Sequence, residues 1–296
     1  MSVRSPFSGV MTALPTPFDR GSVDFRAFAG LIERQLAAET RALVIGGSTG
    51  EATSLSPAER VSLFEFACGV VKGRRAVVAG VGHSDTRIAT ELAHKAQGCG
   101  ATGLLATTPA YVRPPQRGLE AHFGAIAEAA TLPILLYNIP SRTGVDLLPE
   151  TVGRIVARHP QVVAIKESSG SLDRIAKLVA MDVVDVLSGD DEWVVDHVHA
   201  GAVGLVSVVA NLAPGRMALL VQALASGEER DAIAQVESLR PLIQALSLET
   251  NPGPLKAALD LLGLCGSEVR LPLVPIEDET RSRVATALID CGLTGK

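Results

Sequence analysis

The chain of 296 residues is long enough for two ordinary domains or for one large α/β barrel. Hydrophobic residues make up 47% of it and charged residues 20%, which is typical of folded globular proteins and argues against disorder. The net charge of −5 argues against nucleic acid or an anionic membrane as a partner, and no apolar run reaches the ~18 residues of a membrane span. The start, Met1 to Pro6, lacks the apolar core of a secretory signal, so we expect a cytoplasmic protein.

Short β-branched apolar runs alternate with helical stretches through the first 225 residues, which predicts repeated βαβ units. The predicted strands are Val10–Leu14, Ala42–Gly46, Ala76–Val81, Gly103–Thr107, Ile134–Tyr137, Val162–Ile165, Val184–Leu187 and Val203–Val209. The predicted helices between and after them are Phe25–Ala38, Pro57–Val71, Thr86–Gln97, Gln116–Ala129, Pro149–Arg158, Leu172–Ala180, Glu192–His199 and Pro214–Ala225. Beyond Ser226 the strand signal stops, and three further helices are predicted over 228–247, 253–263 and 278–293.

The predicted strands show little alternation of polar and apolar residues, as expected for parallel strands buried on both faces. Eight such units with right-handed crossovers close most simply into a (β/α)8 TIM barrel. An open doubly wound sheet is the alternative, but it normally carries a glycine-rich fingerprint after its first strand, which is absent here. We therefore predict a barrel catalytic domain over residues 1–225 and a C-terminal helical domain over residues 226–296.

The four cysteines are widely spaced and form no CxxC motif and no cysteine–histidine cluster. Scattered cysteines of this kind usually act as small buried apolar residues in proteins of a reducing compartment. His197 and His199 lie two residues apart on a predicted helix, where their side chains do not share a face. The sequence therefore argues against a metal site.

Barrel active sites lie at the carboxyl ends of the strands, and one lysine falls there. Of the six lysines, Lys166 alone directly follows a predicted strand, at the end of "VVAIK". An amine kept away from water favours its neutral form, which attacks a keto carbonyl to give a Schiff base. The alternative is a rim lysine or a buried pair with Glu167, although adjacent strand residues point to opposite faces and pair poorly.

Other strand ends carry side chains suited to the same chemistry. The only two tyrosines, Tyr111 and Tyr137, both fall at such ends, and Tyr137 is a candidate acid or base beside the amine. A buried core tyrosine is the alternative interpretation for either of them. Arg142, after the fifth strand, offers a planar fork for a substrate carboxylate, or else it is a solvated loop arginine.

Two further strand-end features are less specific. The turn Gly46–Gly50 has small residues that let backbone N–H groups and two hydroxyls approach an anion. Asp190 and Asp191 follow the seventh strand, where they suit capping of the next helix as well as catalysis. Neither feature by itself predicts a function.

With these residues in view, the chain resembles the dihydrodipicolinate synthase (4-hydroxy-tetrahydrodipicolinate synthase) family over nearly its whole length. The matching segments are "GGSTGEATSLSPAER" (46–60), "TTPAYVRPPQRGLEAHF" (107–123), "LYNIPSRTGVDLLPETVGRI" (136–155), "IKESSG" (165–170), "LSGDD" (187–191) and "NPGPLK" (251–256). This family belongs to the pyruvate-dependent, class I aldolase-like barrel superfamily, which also contains N-acetylneuraminate lyase. The lysine and the YNIP-type segment mark the superfamily, whereas the arginine of "PSRTG" is more specific to the synthase branch.

The resemblance implies that Lys166 forms a Schiff base with pyruvate. Ser48, Tyr137 and Tyr111 would form a proton shuttle. Tyr111 would reach the neighbouring subunit's site across a tight dimer interface, within a homodimer or a homotetramer. The implied enzyme is a lyase that needs no metal and no diffusible cofactor, because the lysine adduct is itself the electron sink.

The resemblance also implies the substrates. Thr49 would hold the pyruvate carboxylate, Arg142 would bind the carboxylate of L-aspartate 4-semialdehyde, and Gly189 and Val206 would complete the substrate-binding positions. The product would be 4-hydroxy-tetrahydrodipicolinate, at the entry to lysine and diaminopimelate synthesis.

The chain departs from the family pattern in two places. The shuttle position usually held by threonine is Ser48, which keeps the hydroxyl but loses the methyl that stiffens its rotamer. The residues that bind feedback lysine in inhibited members are poorly matched in this chain. An aromatic residue is replaced by Ala110, an amide by Ser84, a carboxylate by Ile88 and a histidine by Pro57. An ammonium opposite Ile88 would be desolvated without a partner, so we predict weak or absent inhibition by lysine.

Two other functions stay open at this point. The first is another pyruvate-dependent Schiff-base aldolase or lyase, acting on a 2-keto-3-deoxy sugar acid or an N-acetylneuraminate-like substrate. In those branches the position of Arg142 is usually not arginine. The second is a non-catalytic barrel that only binds a small ligand or serves as an assembly subunit. The joint presence of Lys166, both tyrosines and Ser48 argues against it.

Overall fold

The computed structural model describes residues 5–38 and 40–294, in which eight parallel strands close into a barrel. The barrel strands are β1 (Gly9–Ala13), β2 (Ala42–Ile45), β3 (Ala76–Gly80), β4 (Gly103–Thr107), β5 (Ile134–Asn138), β6 (Val162–Glu167), β7 (Asp185–Ser188) and β8 (Gly204–Ser207). Each strand pairs with its neighbours in chain order, and β1 closes the barrel by pairing with both β2 and β8. The TIM barrel predicted from the sequence is confirmed.

Helices connect the strands and continue beyond the last one. The connecting helices are α1 (Phe25–Ala37), α2 (Pro57–Val71), α3 (Thr86–Gly98), α4 (Gln116–Ala129), α5 (Pro149–Arg158), α6 (Leu172–Met181), α7 (Val194–His199) and α8 (Pro214–Ser226). The C-terminal helices are α9 (Glu229–Leu246), α10 (Gly253–Leu261) and α11 (Asp278–Asp290). Of the helices in the described ranges, none has the length and apolar character needed to cross a membrane. The predicted C-terminal helices are thus confirmed, whereas the division into two domains at residue 226 stays a prediction.

The boundaries differ from the predicted ones only locally. Helix α7 begins at Val194 instead of Glu192, and Val209–Asn211 forms a turn of 3-10 helix where the eighth strand was expected to end. A two-stranded hairpin (Phe18–Asp19 with Ser22–Val23) and a single helical turn (Pro140–Thr143) have no counterpart in the sequence prediction. The chain start that lacks a signal pattern (Met1 to Arg4) and Lys296 lie outside the described residues.

Local sequence explains where several helices begin. Pro57, Pro149 and Pro214 each occupy the first turn, where the missing N–H costs no helical hydrogen bond. At α2 the Ser56 hydroxyl accepts from the Glu59 N–H while the Glu59 carboxylate accepts from the Ser56 N–H. This capping box satisfies two N–H groups that the helix itself leaves without partners.

The strands are buried on both faces, as their apolar sequences predicted. One face fills the barrel interior with a layer that includes Met11, Val44, Val78, Leu105, Leu135, Ala164, Leu187 and Val206. The other face packs against the surrounding helices through residues such as Leu43, Ile45, Leu104 and Ile165. Polar side chains at the carboxyl ends of the strands therefore lie above a packed floor.

Strand β6 contains a one-residue irregularity where it pairs with β5. Ile134 lies opposite Val162, but the next residue, Leu135, lies opposite Ala164, so that Val163 has no partner in the register. Val162 packs toward the helices, whereas both Val163 and Ala164 contact the barrel interior. A strand that alternated strictly from Val162 would turn Lys166 outward, so the extra residue brings this side chain inside the barrel.

Candidate active site

A cavity of about 470 Å³ opens at the carboxyl ends of the strands. Six of the eight predicted site residues line it, namely Ser48, Thr49, Tyr137, Arg142, Lys166 and Gly189. They come from four different segments of the chain, which the barrel brings together at one end. These residues lie at the end of the barrel where the sequence predicted the active site.

Lys166 lies in this cavity beside Tyr137. The two residues are partners across β5 and β6, and the lysine Nζ lies 4.0 Å from the centroid of the tyrosine ring. Both side chains are buried, and Lys166 is 7% exposed. A primary amine that is screened from bulk water and adjoins a phenol is suited to nucleophilic attack on a carbonyl with proton transfer nearby.

Glu167 does not pair with Lys166, in agreement with the argument from strand geometry. Its side chain points to the helix side of β6, where Oε2 accepts from Arg174 Nε at 2.6 Å and Oε1 accepts from the Ser169 N–H at 2.8 Å. Asn138 Nδ2 also donates to Glu167 Oε1 at 3.1 Å. This outer network joins the ends of β5 and β6, directly behind the residues that enter the cavity.

Thr49 and Arg142, the two predicted carboxylate-binding residues, both contact Asn251. Asn251 Nδ2 donates to Thr49 Oγ1 at 3.0 Å, and Arg142 Nη2 donates to the Asn251 carbonyl at 3.4 Å. Asn251 precedes α10, so the C-terminal part of the chain forms one wall of the cavity. Sequence reasoning gave Asn251 no role, although it opens the quoted segment "NPGPLK".

Gly189 lies where any side chain would collide with the amine-bearing residue. A Cβ atom there would lie 1.8 Å from Ser168 Oγ and 2.8 Å from Lys166 Cε. The main chain at the end of β7 therefore approaches Lys166 as closely as only glycine permits. Ser168 Oγ itself is buried and has no hydrogen-bond partner within the described residues.

The two acidic residues after β7, Asp190 and Asp191, have different surroundings. Asp191 accepts from the Ser207 hydroxyl and, through Oδ2, from the N–H groups of Val208 and Val209 at 2.9 and 3.1 Å. It therefore supports the turn after β8 and does not cap α7, the next helix. Asp190 lines the cavity, where burial raises the pKa of its carboxyl to about 6 against the opposing effect of the Lys166 charge.

Two predicted site residues are not among those that line this cavity. Tyr111 is 92% exposed and has a φ of +73°, with its N–H donating to the Thr143 carbonyl at 3.0 Å. Val206 is buried in the barrel interior beneath the cavity floor. Left-handed backbone is unfavourable for a tyrosine, so the backbone at Tyr111 is strained.

A second cavity of about 510 Å³ adjoins the first and shares Ser48 and Arg142 with it. Its lining also includes Pro57, Ser84 and Ala110, three of the four positions at which the family's lysine-binding pattern is poorly matched. The Ser84 hydroxyl donates to the Ala110 carbonyl at 2.8 Å.

The histidine pair is not a joint site. His197 is buried and its Nδ1 lies 2.8 Å from Ser188 Oγ, whereas His199 lies 3.7 Å from a Glu229 carboxylate oxygen. Within residues 5–38 and 40–294, no group of three or more His, Cys, Asp and Glu side chains could hold a metal ion.

Sequence reasoning missed a buried ion pair below the turn after β2. Lys256 Nζ lies 2.5 Å from Glu51 Oε1, and both side chains are essentially inaccessible. Glu51 lies within the quoted segment "GGSTGEATSLSPAER" and Lys256 ends "NPGPLK", yet neither residue was assigned a role. A lysine on an otherwise apolar stretch of helix was the available signal, because an uncompensated ammonium would not be buried there.

Comparison with known proteins agrees with this fold. The Dihydrodipicolinate synthetase family model matches residues 6–290. The 4-hydroxy-tetrahydrodipicolinate synthase of Anaeromyxobacter dehalogenans (strain 2CP-C) is 43% identical over 288 residues, which cover 96% of this chain and 97% of that protein. The protein of the same name from Pelobacter propionicus is 42% identical, over 97% of this chain and 99% of that one. The crystal structure of dihydrodipicolinate synthase from Aquifex aeolicus superposes with a TM-score of 0.96 at 37% identity, covering 98% of this chain and 100% of that one. The chain belongs to the dihydrodipicolinate synthetase family.

Proposed function

We propose that the protein is a 4-hydroxy-tetrahydrodipicolinate synthase, which condenses pyruvate with L-aspartate 4-semialdehyde. The observation that carries the proposal is the buried Lys166 amine 4.0 Å from the Tyr137 ring centroid, in a cavity also lined by Thr49 and Arg142. One nucleophile, one adjacent phenol and two carboxylate-binding side chains are what a condensation of two carboxylate substrates requires. The names of the relatives at 42–43% identity support the same reaction.

The first half of the reaction forms the nucleophile. Lys166 Nζ attacks C2 of pyruvate, and loss of the C2 oxygen as water leaves a Schiff base. The protonated imine withdraws electrons, so a proton leaves the pyruvate methyl group and an enamine forms. Thr49 would hold the pyruvate carboxylate, and Gly189 would leave room for the adduct beside Lys166 Cε.

The second half joins the two substrates. Arg142 would bind the carboxylate of the semialdehyde through charge-assisted hydrogen bonds, which directs the aldehyde carbon toward the enamine. After the carbon–carbon bond forms, the substrate amino group attacks C2, closes the ring and releases the Lys166 amine. Tyr137, Ser48 and Tyr111 would carry protons between substrate and solvent during these steps.

The remaining assignments belong to the same proposal. The lysine adduct supplies the electron sink, so the reaction requires no metal and no diffusible cofactor. Tyr111 would act in the neighbouring subunit's site, and its outward position is compatible with a homodimer or a homotetramer. Val206 would act from below as part of the substrate-binding floor, and the enzyme would work in the cytoplasm in lysine and diaminopimelate synthesis.

Borohydride trapping tests the chemistry. Reduction in the presence of pyruvate should add the mass of the reduced pyruvyl group to the peptide that contains Lys166, and Lys166→Arg should not be labelled. Lys177→Arg is the matched control, because Lys177 forms an exposed ion pair with Glu150. Absence of labelling at Lys166 in the wild type would reject a Schiff-base mechanism altogether.

Turnover then identifies the second substrate. We expect condensation of pyruvate with L-aspartate 4-semialdehyde, and no cleavage of 2-keto-3-deoxy sugar acids or N-acetylneuraminate at comparable rates. A protein that traps pyruvate but cleaves a sugar acid, and does not use the semialdehyde, would belong to another branch of the superfamily. Each result selects one of the two enzymatic alternatives.

A further inference from the structure

A buried ion pair joins the turn after β2 to α10, and its lysine contacts Glu51, Glu268 and Phe18, none of which is assigned to the reaction. Lys256 Nζ lies 2.5 Å from Glu51 Oε1, donates to the Glu268 carbonyl at 2.7 Å and lies 4.1 Å from the centroid of the Phe18 ring. Lys256 is fully buried and lines neither of the two cavities described above. Its amine is therefore committed to contacts within the protein and is not available to a substrate.

Glu51 connects this amine to the substrate-binding turn. Its N–H donates to the Ser48 carbonyl at 3.1 Å, which closes a turn over Ser48, Thr49 and Gly50. Its second carboxylate oxygen accepts from the Arg270 N–H at 3.0 Å. Both oxygens of the carboxylate are thus held from the C-terminal part of the chain, directly after the two hydroxyl residues that line the cavity.

The backbone at Glu51 is strained, which indicates that these contacts determine the shape of the turn. Glu51 has a φ of +54°, a left-handed conformation that is unfavourable for a residue with a Cβ atom. Such conformations persist where the surroundings fix them. The same C-terminal segment also reaches Thr49 directly, since Asn251 Nδ2 donates to its hydroxyl at 3.0 Å.

A role in stability alone does not account for the use of charge here. Replacement of a buried ion pair by apolar residues of similar volume is often neutral or stabilising, because desolvation offsets the attraction. An ion pair with directed hydrogen bonds, in contrast, allows one geometry and disfavours others. The charge is therefore best explained by the position that it imposes on the turn.

We propose that Lys256 is a positioning residue for pyruvate binding, which acts through Glu51 to hold the hydroxyls of Ser48 and Thr49 in place. This inference rests on the proposed function, because it concerns the turn that would receive the pyruvate carboxylate. It assigns to the C-terminal helices a part in forming the first-substrate site, in addition to packing.

The first test is Lys256→Met, with Lys177→Met as the matched control in an exposed ion pair. We expect the KM for pyruvate to rise by about tenfold or more and the rate of adduct formation at low pyruvate to fall in proportion. The KM for L-aspartate 4-semialdehyde, which depends on Arg142, should change much less. Lys177→Met should match the wild type in all three measurements.

A second variant keeps the test valid, because Lys256→Met leaves the Glu51 carboxylate buried without its ion-pair partner. The double variant Glu51→Gln/Lys256→Met is neutral and of similar volume, and its thermal midpoint reports whether the fold is retained. A folded double variant whose KM for pyruvate is still raised supports positioning. A wild-type KM for pyruvate in either variant overturns the inference.

Trapping of the wild-type protein separates the positioning role of Lys256 from the proposed function. If the wild type forms no pyruvate adduct with borohydride, the proposed function itself fails. If the wild type is labelled and the Lys256 variants form the adduct with unchanged pyruvate dependence, only the positioning role of Lys256 is rejected.

Discussion

Tyr137 and Lys166 are direct partners across β5 and β6, and the residues that follow them, Asn138 and Glu167, are hydrogen-bonded to each other on the opposite face of the barrel wall. The inner pair lies in the cavity and the outer pair is tied to Arg174. Contacts on both faces thus fix the relative position of the two strand ends. Because catalytic groups lose efficiency when displaced by about 1 Å, this two-sided arrangement keeps the Lys166 amine in position beside Tyr137.

Tyr137→Phe removes one hydroxyl and keeps the ring that contacts Lys166. We expect kcat to fall by about a hundredfold or more, because acid–base assistance contributes at least that much, while the unfolding midpoint stays near that of the wild type. Steady-state assays and thermal unfolding check the two parts. A variant that kept kcat within about threefold would show that the Tyr137 hydroxyl carries no essential proton.

Arg142→Ala is expected to separate the two substrates. Loss of a charge-assisted contact to the semialdehyde carboxylate should lower kcat/KM for that substrate by about 10- to 100-fold, whereas borohydride trapping of pyruvate should proceed nearly as in the wild type. Arg142→Lys keeps the charge without the planar fork and should fall between the two. Equal loss of trapping and of semialdehyde use would contradict the assignment of Arg142 to the second substrate.

Gly189→Ala places a methyl group against Ser168 Oγ and Lys166 Cε, at 1.8 and 2.8 Å before any relaxation. We expect pyruvate adduct formation to slow by at least about tenfold, because the lysine chain must move. Gly215→Ala is the control, since a Cβ atom there meets no atom within 4 Å. Adduct formation at the wild-type rate in Gly189→Ala would show that the end of β7 can move to accommodate the methyl group without displacing the Lys166 amine.

Glu59 gives a prediction about pH. Its hydrogen bond with Arg270 lowers the pKa of the carboxyl from 4.5 to about 2. The folded state therefore holds this carboxylate ionised while the unfolded chain protonates it, so its stabilisation is complete above about pH 4.5 and is lost as the pH falls toward 2.

Glu59→Gln isolates that contribution, because glutamine retains the capping-box hydrogen bond of α2. The pair is partly exposed, so we expect only about 1 kcal/mol of destabilisation at pH 7, shrinking as the pH is lowered below 4. Urea unfolding of both proteins between pH 7 and pH 3 measures this difference. If the difference in unfolding free energy between the two proteins grew on acidification, the ion pair between Glu59 and Arg270 would not be its cause.

Inhibition by lysine should be weak or absent. The second cavity presents Pro57, Ser84 and Ala110, and Ile88 packs its side chain against the core, so the four family positions offer no carboxylate for an ammonium. We expect no inhibition at lysine concentrations below about 1 mM, because inhibition in that range requires a binding free energy of at least a few kcal/mol. Sub-millimolar inhibition of turnover would refute this prediction, and Ile88→Glu tests whether a carboxylate at that position increases sensitivity.

Local pattern was sufficient for much of the architecture. Buried parallel strands are uniformly apolar and their helices begin at prolines or capping residues, so "GLLAT" and the helix at Pro57 are recognisable without tertiary information. Lysine is scarce in the chain, and Lys166 is the only one of the six that directly follows a predicted strand, which singled it out.

What the sequence did not predict depends on contacts between distant segments. Asn251 meets Thr49 across 202 positions of the chain, and Lys256 meets Glu51, because the C-terminal helices return to the mouth of the barrel. Hydrophobic periodicity and residue propensity describe neighbours within one helix or strand. They therefore contain no information on contacts between distant segments. The unpartnered Val163 is similar, since a bulge is defined only by the strand beside it.

The irregularity at Val163 also determines how this region can change during evolution. Substitution of one apolar residue for another in β6 preserves the count of residues and leaves Lys166 within the barrel. Deletion of Val163 would remove the irregularity, and regular alternation from Val162 would still place Lys166 in the cavity and Glu167 toward the helices. Loss of the irregularity without loss of a residue would instead turn the lysine toward the helices. The position of the reactive amine is therefore inherited through the combination of strand length and bulge, as much as through the identity of residue 166.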